Sequence, residues 1–252
     1  MDPNKAYLVP DSSGALFWGA LTPGRLIRRY KRFLADVELE DGRRITAHTP
    51  NTGRMLGCSE PDRPVWLSWH DSPGRKYNYT LELISMPGSL VGVNTMVPNR
   101  LVAAAASAGI LAEMPGRLKV EREVTVGHSR LDLRLTDPEG RVAMVEVKNC
   151  TLAENKVAYF PDAATARGEK HLRELAGLVH EGLRAAVFIL VQRNDADCFS
   201  PADHLDPLWS ARLREVAAEG VEVWVYEAEM DLEKIRLGRS LPVNLNLPPL
   251  KG

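Results

Sequence analysis

Two hydrophobic rhythms divide the chain. From Gly24 to Leu83, apolar and polar residues alternate in short runs separated by turn residues. RFLADVEL sets Phe33, Ala35, Val37 and Leu39 on one face, then breaks at Asp41-Gly42, a hairpin dipeptide. RITAHT and VWLSW continue the period of two, and YTLELI follows the Pro73-Gly74 turn. Short strands with no helix between them predict a small all-β barrel. Near residue 98 the rhythm changes. Pro98-Asn99 opens RLVAAAASAGILAEM, an Ala-rich helix expected to run up to Pro115-Gly116. Strands are predicted over 118–126, 130–136 and 142–148, then a helix from Pro161-Asp162 to about Gly182. A buried strand over AAVFILV, a helix over PLWSARLREVAAEG and a strand over VEVWVY complete the order. Such an order describes an α/β layer with a mixed sheet. The chain therefore reads as an α+β protein of two domains. An irregular leader spans residues 1–20, a β-barrel 21–90 and the α/β domain 91–252, with the boundary between 86 and 98.

Composition narrows the function classes. With 252 residues and 44% hydrophobic content, each domain can bury a core. Lys plus Arg is 32 against 33 for Asp plus Glu, a net charge of -1. That balance excludes a uniformly basic coat, so an anionic partner has to be held by a local patch. Cys58, Cys150 and Cys198 are far apart and form no CxxC pair, which argues against a zinc finger or a disulfide framework. The start, MDPNKAYLVPDSSG, has no long apolar run of a signal peptide, and LRAAVFILVQR is too short to span a bilayer. A cytoplasmic protein without a membrane partner is expected.

The chemistry concentrates in VGHSRLDLRLTDPEGRVAMVEVKN, residues 126–149. The period of two puts Arg130, Asp132 and Arg134 on one face, with Leu131, Leu133 and Leu135 opposite. Glu146 and Lys148 share a face with Val142 and Met144, while Val145 and Val147 lie opposite. A strand apolar on both sides until its C-terminal end is a central strand, and its polar end emerges where α/β proteins place active sites. Upstream, LKVEREVTV adds Glu121 opposite Leu118 and Val120. Converging carboxylates suit a hard cation such as Mg2+. Such an ion polarises a phosphoryl oxygen and generates hydroxide from water. Lys148 could hold that water or stabilise charge on the phosphate. The competing reading is a partly buried ion pair of Lys148 with Glu146 or Asp132.

Two cationic stretches flank this motif. On the helix after it, Arg167, Lys170, His171 and Glu174 form a polar face suited to a phosphate backbone, or else an ordinary solvated face. Leu172, Leu175, Ala176 and Val179 form its apolar face. In the barrel, GRLIRRYKRF packs Arg25, Arg28, Arg29, Lys31 and Arg32 around Tyr30 and Phe33 without an acid among them. Cations interleaved with aromatics suit single-stranded nucleic acid, although Phe33 is in phase with the apolar face and reads as core. HTPNTGRM then carries a turn to Arg54, which with nearby backbone amides could contact phosphate.

The strings TPGRLIRRYKRFLADVEL, HTPNTGRMLGC, VGVNTMVPN, SRLDL, VEVKNCTL and YFPDAATARGEKHLREL together resemble the bacterial sugar fermentation stimulation protein family (SfsA), from about residue 20 to about 245. The resemblance implies an OB-fold-like N-terminal barrel and a C-terminal domain like the PD-(D/E)xK nucleases. It implies non-specific DNA binding and a part in regulating sugar, particularly maltose, metabolism. Asp132 matches the first carboxylate of the nuclease pattern, Glu146 and Lys148 the ExK pair, and Glu121 the acid on the preceding strand. Arg167 and Lys170 fall on the helix that supplies a supporting polar residue, and Leu131 stands where the signature has proline.

The expectation is a nucleic-acid-binding protein. Its contacts would be Arg25, Arg28, Arg29, Tyr30, Lys31, Arg54, Arg130, Arg167 and Lys170. A Mg2+ or Mn2+ ion would sit on Asp132 and Glu146 with help from Glu121, and Lys148 would orient water. DNA, single-stranded or double-stranded, or RNA would be the partner. The competing classes are a regulator that binds DNA without cutting it, an active metal-dependent nuclease, and a small-molecule or protein-binding module whose charges are structural ion pairs.

Overall fold

The computed structural model describes residues 7–71, 73–126 and 129–247; the first six residues of the expected leader lie outside these. The rest of that leader is not irregular. Strands β1 (Val9–Pro10) and β2 (Leu16–Phe17) form a hairpin, and β2 pairs with the C-terminal sheet through Phe17↔Lys234 and Leu16↔Ile235. Asp11 builds the turn, accepting from the Ser13 and Ala15 amides at 2.9 and 3.0 Å. Leu16 and Trp18 are buried. So short an apolar run carries no readable period, and only the sheet edge makes it a strand.

The barrel consists of β3 (Leu21–Tyr30), β4 (Leu34–Leu39), β5 (Arg44–His48), β6 (Pro64–Trp69) and β7 (Tyr79–Met86), with β8 (Ser89–Gly92) appended to β7. It closes through the pairing His48↔Thr80 between β5 and β7. Ala35, Val37 and Leu39 point inward with Leu26, Ala47, Val65, Leu67 and Leu81, as the alternation predicts. Phe33 does not. It is 46% exposed, because Lys31 and Arg32 ahead of it have φ of 49° and 65° and turn the chain before the strand begins. Two left-handed residues match the right-handed twist of the flanking strands. Inside, Glu82 on β7 is fully buried. It accepts from Ser68 at 2.6 Å, Tyr7 at 2.7 Å and Asn94 at 2.8 Å, which ties the N-terminal segment and the interdomain linker to the barrel.

The second domain opens with α1 (Val97–Ala108), followed by β9 (Lys119–Val126), β10 (Ser129–Thr136) and β11 (Val142–Cys150). Two short strands, β12 (Leu152–Glu154) and β13 (Val157–Phe160), precede α2 (Ala166–His180) and β14 (Arg184–Val191). Then come β15 (Cys198–Pro201), α3 (Pro207–Ala218), β16 (Glu222–Met230) and β17 (Lys234–Ser240). The main sheet runs β1-β2-β17-β16-β14-β11-β10-β9. β11, β14 and β16 are mutually parallel and the flanking pairings antiparallel, which is the mixed sheet expected. Its two faces bury separate cores. Val145, Phe188 and Leu190 meet Leu101, Val102 and Ala105 of α1. Met144, Val187 and Ile189 meet Leu172 and Leu175 of α2 and Trp209 and Leu213 of α3.

Several boundaries differ from the sequence reading. α1 stops at Ala108 because Gly109, at φ 83°, caps it, and Ile110 to Met114 run on outside the helix. α2 starts at Ala166, not at Pro161-Asp162. Thr165 is its cap, accepting from the Gly168 amide at 3.0 Å, while Asp162 turns back towards the barrel. The small sheet β12-β13-β15 and the strand β17, which lies between β16 and β2, were not anticipated.

Candidate metal and nucleic-acid site

The site begins where two strands part. β10 pairs with β11 from Thr136↔Val142 to Leu133↔Val145 and then continues with β9 alone. At the point of parting, Asp132 Oδ2 accepts from the Val147 amide at 2.8 Å, so a side chain bridges where the ladder stops. Asp132 Oδ1 accepts from Asn99 Nδ2 on α1 at 2.6 Å. Across the gap on β11, Glu146 is only 3% exposed. Its Oε1 accepts from Lys148 Nζ at 2.6 Å and also meets His171 Nδ1 of α2. Its Oε2 is buried with no hydrogen-bond partner. Asp132, Glu146, Lys148 and His171 line one cavity of about 620 Å³.

The face assignment needs one correction. Leu133 and Leu135 belong to the α1 core, as the period of two requires, but Leu131 joins the α2 core instead. The strand reverses its faces at Asp132. Opposite it, Glu123 has φ 55°, and the pair Asp132↔Glu123 is missing from an otherwise continuous register. That local break frees Asp132 from the sheet ladder.

The two carboxylates are perturbed in opposite directions. Burial, joined by the facing Glu146 charge, pushes the Asp132 carboxyl up from the ordinary range. Burial acts the same way on Glu146, but its contacts with His171 and Lys148 outweigh it and hold that carboxyl below the usual range.

The barrel supplies the other wall. Asn51, Thr52 and Gly53, from the turn after β5, and Arg32, from the β3–β4 turn, line the same cavity. Two side chains fix this wall. Asp162 Oδ2 accepts from the Met55 amide at 2.7 Å, joining the domains across the cleft. Arg29 donates to the carbonyls of Asn51 and Gly53 at 2.8 Å each, to Arg54 at 3.2 Å, and to Arg32.

Several residues expected at the site or at phosphates have other engagements. Glu121 lies opposite Arg134, away from the parting of β10 and β11, and pairs with Arg134 and Lys119 at 3.7 Å each. It does not line the cleft. Arg29 is a staple for the 51–54 turn, so its guanidinium is used internally. Arg25 donates to the Asp62 carbonyl at 2.7 Å. Arg28 pairs with Asp36 at 2.9 Å and covers the Tyr30 ring at 4.9 Å, while the Tyr30 hydroxyl donates to Asp36 at 3.1 Å. That ring face is therefore taken. Arg130 pairs with Glu123 at 2.7 Å, and Lys170 pairs with Glu174 at 3.5 Å off the cleft. The turn amides near Arg54 are used as well, Gly53 N by Asn51 at 2.9 Å and Met55 N by Asp162. Arg167 does line the cleft, and Lys31 and Arg54 remain exposed. Asn99 and Thr52 were not expected at the site, Asp162 was read chiefly as a helix start and Arg32 as part of the barrel's cationic cluster, since nothing local marks a side chain whose partner lies in another element.

Fold and cleft together define a two-domain protein in which a closed OB barrel precedes an endonuclease-like mixed α/β domain. A model described as the SfsA N-terminal OB domain matches residues 27–93, and one described as the sugar fermentation stimulation protein RE domain matches residues 96–234. The chain belongs to the sugar fermentation stimulation protein family. It is 53% identical over 231 residues to the sugar fermentation stimulation protein homolog of Desulfotalea psychrophila, covering 91% of this chain and 95% of that one. It is 49% identical over 226 residues to the homolog of Geotalea uraniireducens, covering 89% and 97%. Among solved structures, Pyrococcus furiosus SfsA in complex with Ca2+ superposes with a TM-score of 0.81 at 28% identity, covering 95% of this chain and 99% of that one. Among the described residues, no helix is long and apolar enough to cross a membrane.

Proposed function

We propose that the chain binds DNA in the cleft between its domains and holds one divalent cation, Mg2+ or Mn2+, on Asp132 and Glu146, at a site built for phosphodiester hydrolysis. The observation that carries this reading is Glu146 Oε2, a buried carboxylate oxygen with no hydrogen-bond donor, in the cavity that Asp132 also lines. Buried polar atoms are rarely left in that state unless something else satisfies them. Among the described residues no three His, Cys, Asp or Glu side chains form a complete metal cage. Two carboxylates without a third fit Mg2+, which is held by one or two carboxylates together with waters and substrate phosphates. The Ca2+ of the Pyrococcus furiosus relative supports a divalent ion in this family.

The residues divide the work. Asn99 and the Val147 amide hold Asp132 at the mouth of the parted strands. Lys148, only 14% exposed at its side chain, stands on Glu146 where it can donate to a water or to a phosphate oxygen. Arg32 and Arg167 line opposite sides of the cleft and supply positive charge for the backbone on either side of a bound phosphate. A bound cation would polarise the phosphoryl oxygen and lower the pKa of a coordinated water.

A second reading, a DNA-binding regulator of sugar use that does not cut, is favoured by one observation. Lys148 and His171 both engage Glu146 Oε1, so the acidic site is already partly neutralised from within. One experiment separates the two. Purified protein is incubated with DNA and RNA substrates in Mg2+ or Mn2+, and with chelator. Metal-dependent cleavage lost in Lys148→Ala is expected. Binding without cleavage under every metal condition refutes hydrolysis and leaves the regulator. Affinity over a salt series tests the partner itself, with an expected slope of about -0.9 per phosphate contacted on duplex or about -0.7 on single strands.

A further inference from the structure

Outside the cleft, a second cavity of about 500 Å³ opens between the N-terminal hairpin, α1 and β9. Its floor is apolar. Leu8 and Leu16 of the N-terminal segment and Val120 of β9 meet Ala103 and Ala104 of α1 there. The cavity exists because α1 presents Ala103, Ala104, Ser107 and Ala108 along one stripe, too small to fill the space. The hairpin cannot settle deeper. A Cβ on Gly14 would lie 3.0 Å from the Ala105 Cα and 3.1 Å from the Ala104 carbonyl oxygen, so the turn already rests on the helix.

The rim carries Arg100, Arg117 and Arg122, one from each of α1, the α1–β9 connection and β9. None of the three has an ion-pair or side-chain hydrogen-bond partner among the described residues. Arg32 and Arg54 share that state, but several other exposed arginines are paired. Arg28 sits on Asp36, Arg44 on Glu38, Arg130 on Glu123 and Arg173 on Glu169. The one acid on the wall is Asp11, and its Oδ1 already accepts from the Ser13 amide, the Ser13 hydroxyl and the Ala15 amide. The acids beside Arg122 are engaged by other cations, Glu121 by Lys119 and Arg134 and Glu123 by Arg130. Three guanidiniums against one carboxylate leave a wall of net charge 3 − 1 = +2 above an apolar floor.

We propose that this cavity binds a small organic dianion, with its phosphate or paired carboxylates held by Arg100, Arg117 and Arg122 and its apolar body on Leu16, Val120 and the alanine stripe. Guanidinium forks match phosphate and carboxylate oxygens two at a time. The volume lies within the range of about 300–1,000 Å³ typical of small-molecule sites. The site is independent of the interdomain cleft and needs no metal.

The test uses phenyl phosphate, which joins a dianion to an apolar ring, with inorganic phosphate and phenol as its separate halves. Titration calorimetry on the full chain in chelator and phosphate-free buffer should show saturable one-to-one binding of phenyl phosphate, about tenfold or more tighter than either half. Arg117→Ala and Arg122→Ala should each weaken it about tenfold or more, the loss expected for one charge-assisted interaction. Both side chains are exposed, so these variants should fold. Asp132→Asn should leave the affinity unchanged. Absence of saturable binding overturns the proposal. So does an altered affinity in Asp132→Asn, whose lost carboxylate would no longer repel an anion bound in the cleft. Weaker binding of a single-stranded oligonucleotide by Arg117→Ala and Arg122→Ala, without phenyl phosphate binding, also overturns it and assigns these arginines to a nucleic-acid surface.

Discussion

The carboxylate at the parting of β10 and β11 allows a prediction that separates its structural role from its metal role. Asp132 accepts from the buried Val147 amide at 2.8 Å and from Asn99 Nδ2 at 2.6 Å. Asp132→Ala strands both donors. Val147 is 6% exposed, so its amide cannot turn to water and costs about 1–3 kcal/mol, whereas the half-buried Asn99 is resolvated. Asp132→Asn behaves differently. The new carboxamide oxygen keeps the Val147 amide, and its NH2 donates to Asn99 once that amide turns over. It also removes a buried charge facing Glu146. Its stability should stay within about 1 kcal/mol of wild type. Urea unfolding in chelator should therefore rank Asp132→Ala well below wild type and Asp132→Asn close to it. Adding Mg2+ at a hundred times its Kd should stabilise the wild type by about 2.7 kcal/mol. Both variants should lose most of that gain. If Asp132→Asn keeps the full Mg2+ gain, the carboxylate is not a ligand; if Asp132→Ala unfolds at the wild-type midpoint, the strand-bridging role is wrong.

Three further outcomes follow from other contacts. Burial raises the proton affinity of Glu82 in the folded state above that of the unfolded chain. Its contribution to stability is thus full below the ordinary carboxylate pKa, about 4, and is lost as pH rises through the higher folded value. Glu82→Gln should flatten that descending limb of a denaturation-midpoint profile against pH; an unchanged slope would exclude Glu82 as its source. Gly53→Ala would set a Cβ 2.5 and 2.8 Å from the Asp162 carboxylate oxygens, which the Met55 amide holds in place. We expect about 1–3 kcal/mol of destabilisation and loosened contact between the domains, read by amide exchange at Met55; normal protection there would count against it. Arg29→Lys should destabilise by about 2–4 kcal/mol, because one ammonium cannot serve the Asn51, Gly53 and Arg54 carbonyls together, while Arg28→Lys, in an exposed pair, should change stability by less than about 0.5 kcal/mol.

The alternation from Gly24 to Leu83 was enough to expect a barrel, because a period of two with polar partners describes strands that face a core on one side only. The apolar runs of β11 and β14 likewise announced central strands, since both of their faces are buried. The spacing of Asp132, Glu146 and Lys148 on successive strands made a shared site legible before any coordinates. Those features are local or nearly so, and local periodicity is written directly in the chain. What the tertiary structure alone decided depends on partners distant in sequence. Asn99 reaches Asp132 across 33 positions, and Asp162 reaches the Met55 amide across 107. Arg29 looks like a phosphate contact among its cationic neighbours, yet the carbonyls that occupy it lie in turns that meet it only in the closed barrel. The same limit explains Glu121. Its residue type and strand were right for a third carboxylate, but the register sets it against Arg134, away from the gap where Asp132 and Glu146 meet. A strand's period says which face a side chain takes; only register and the parting of strands say what it will face there.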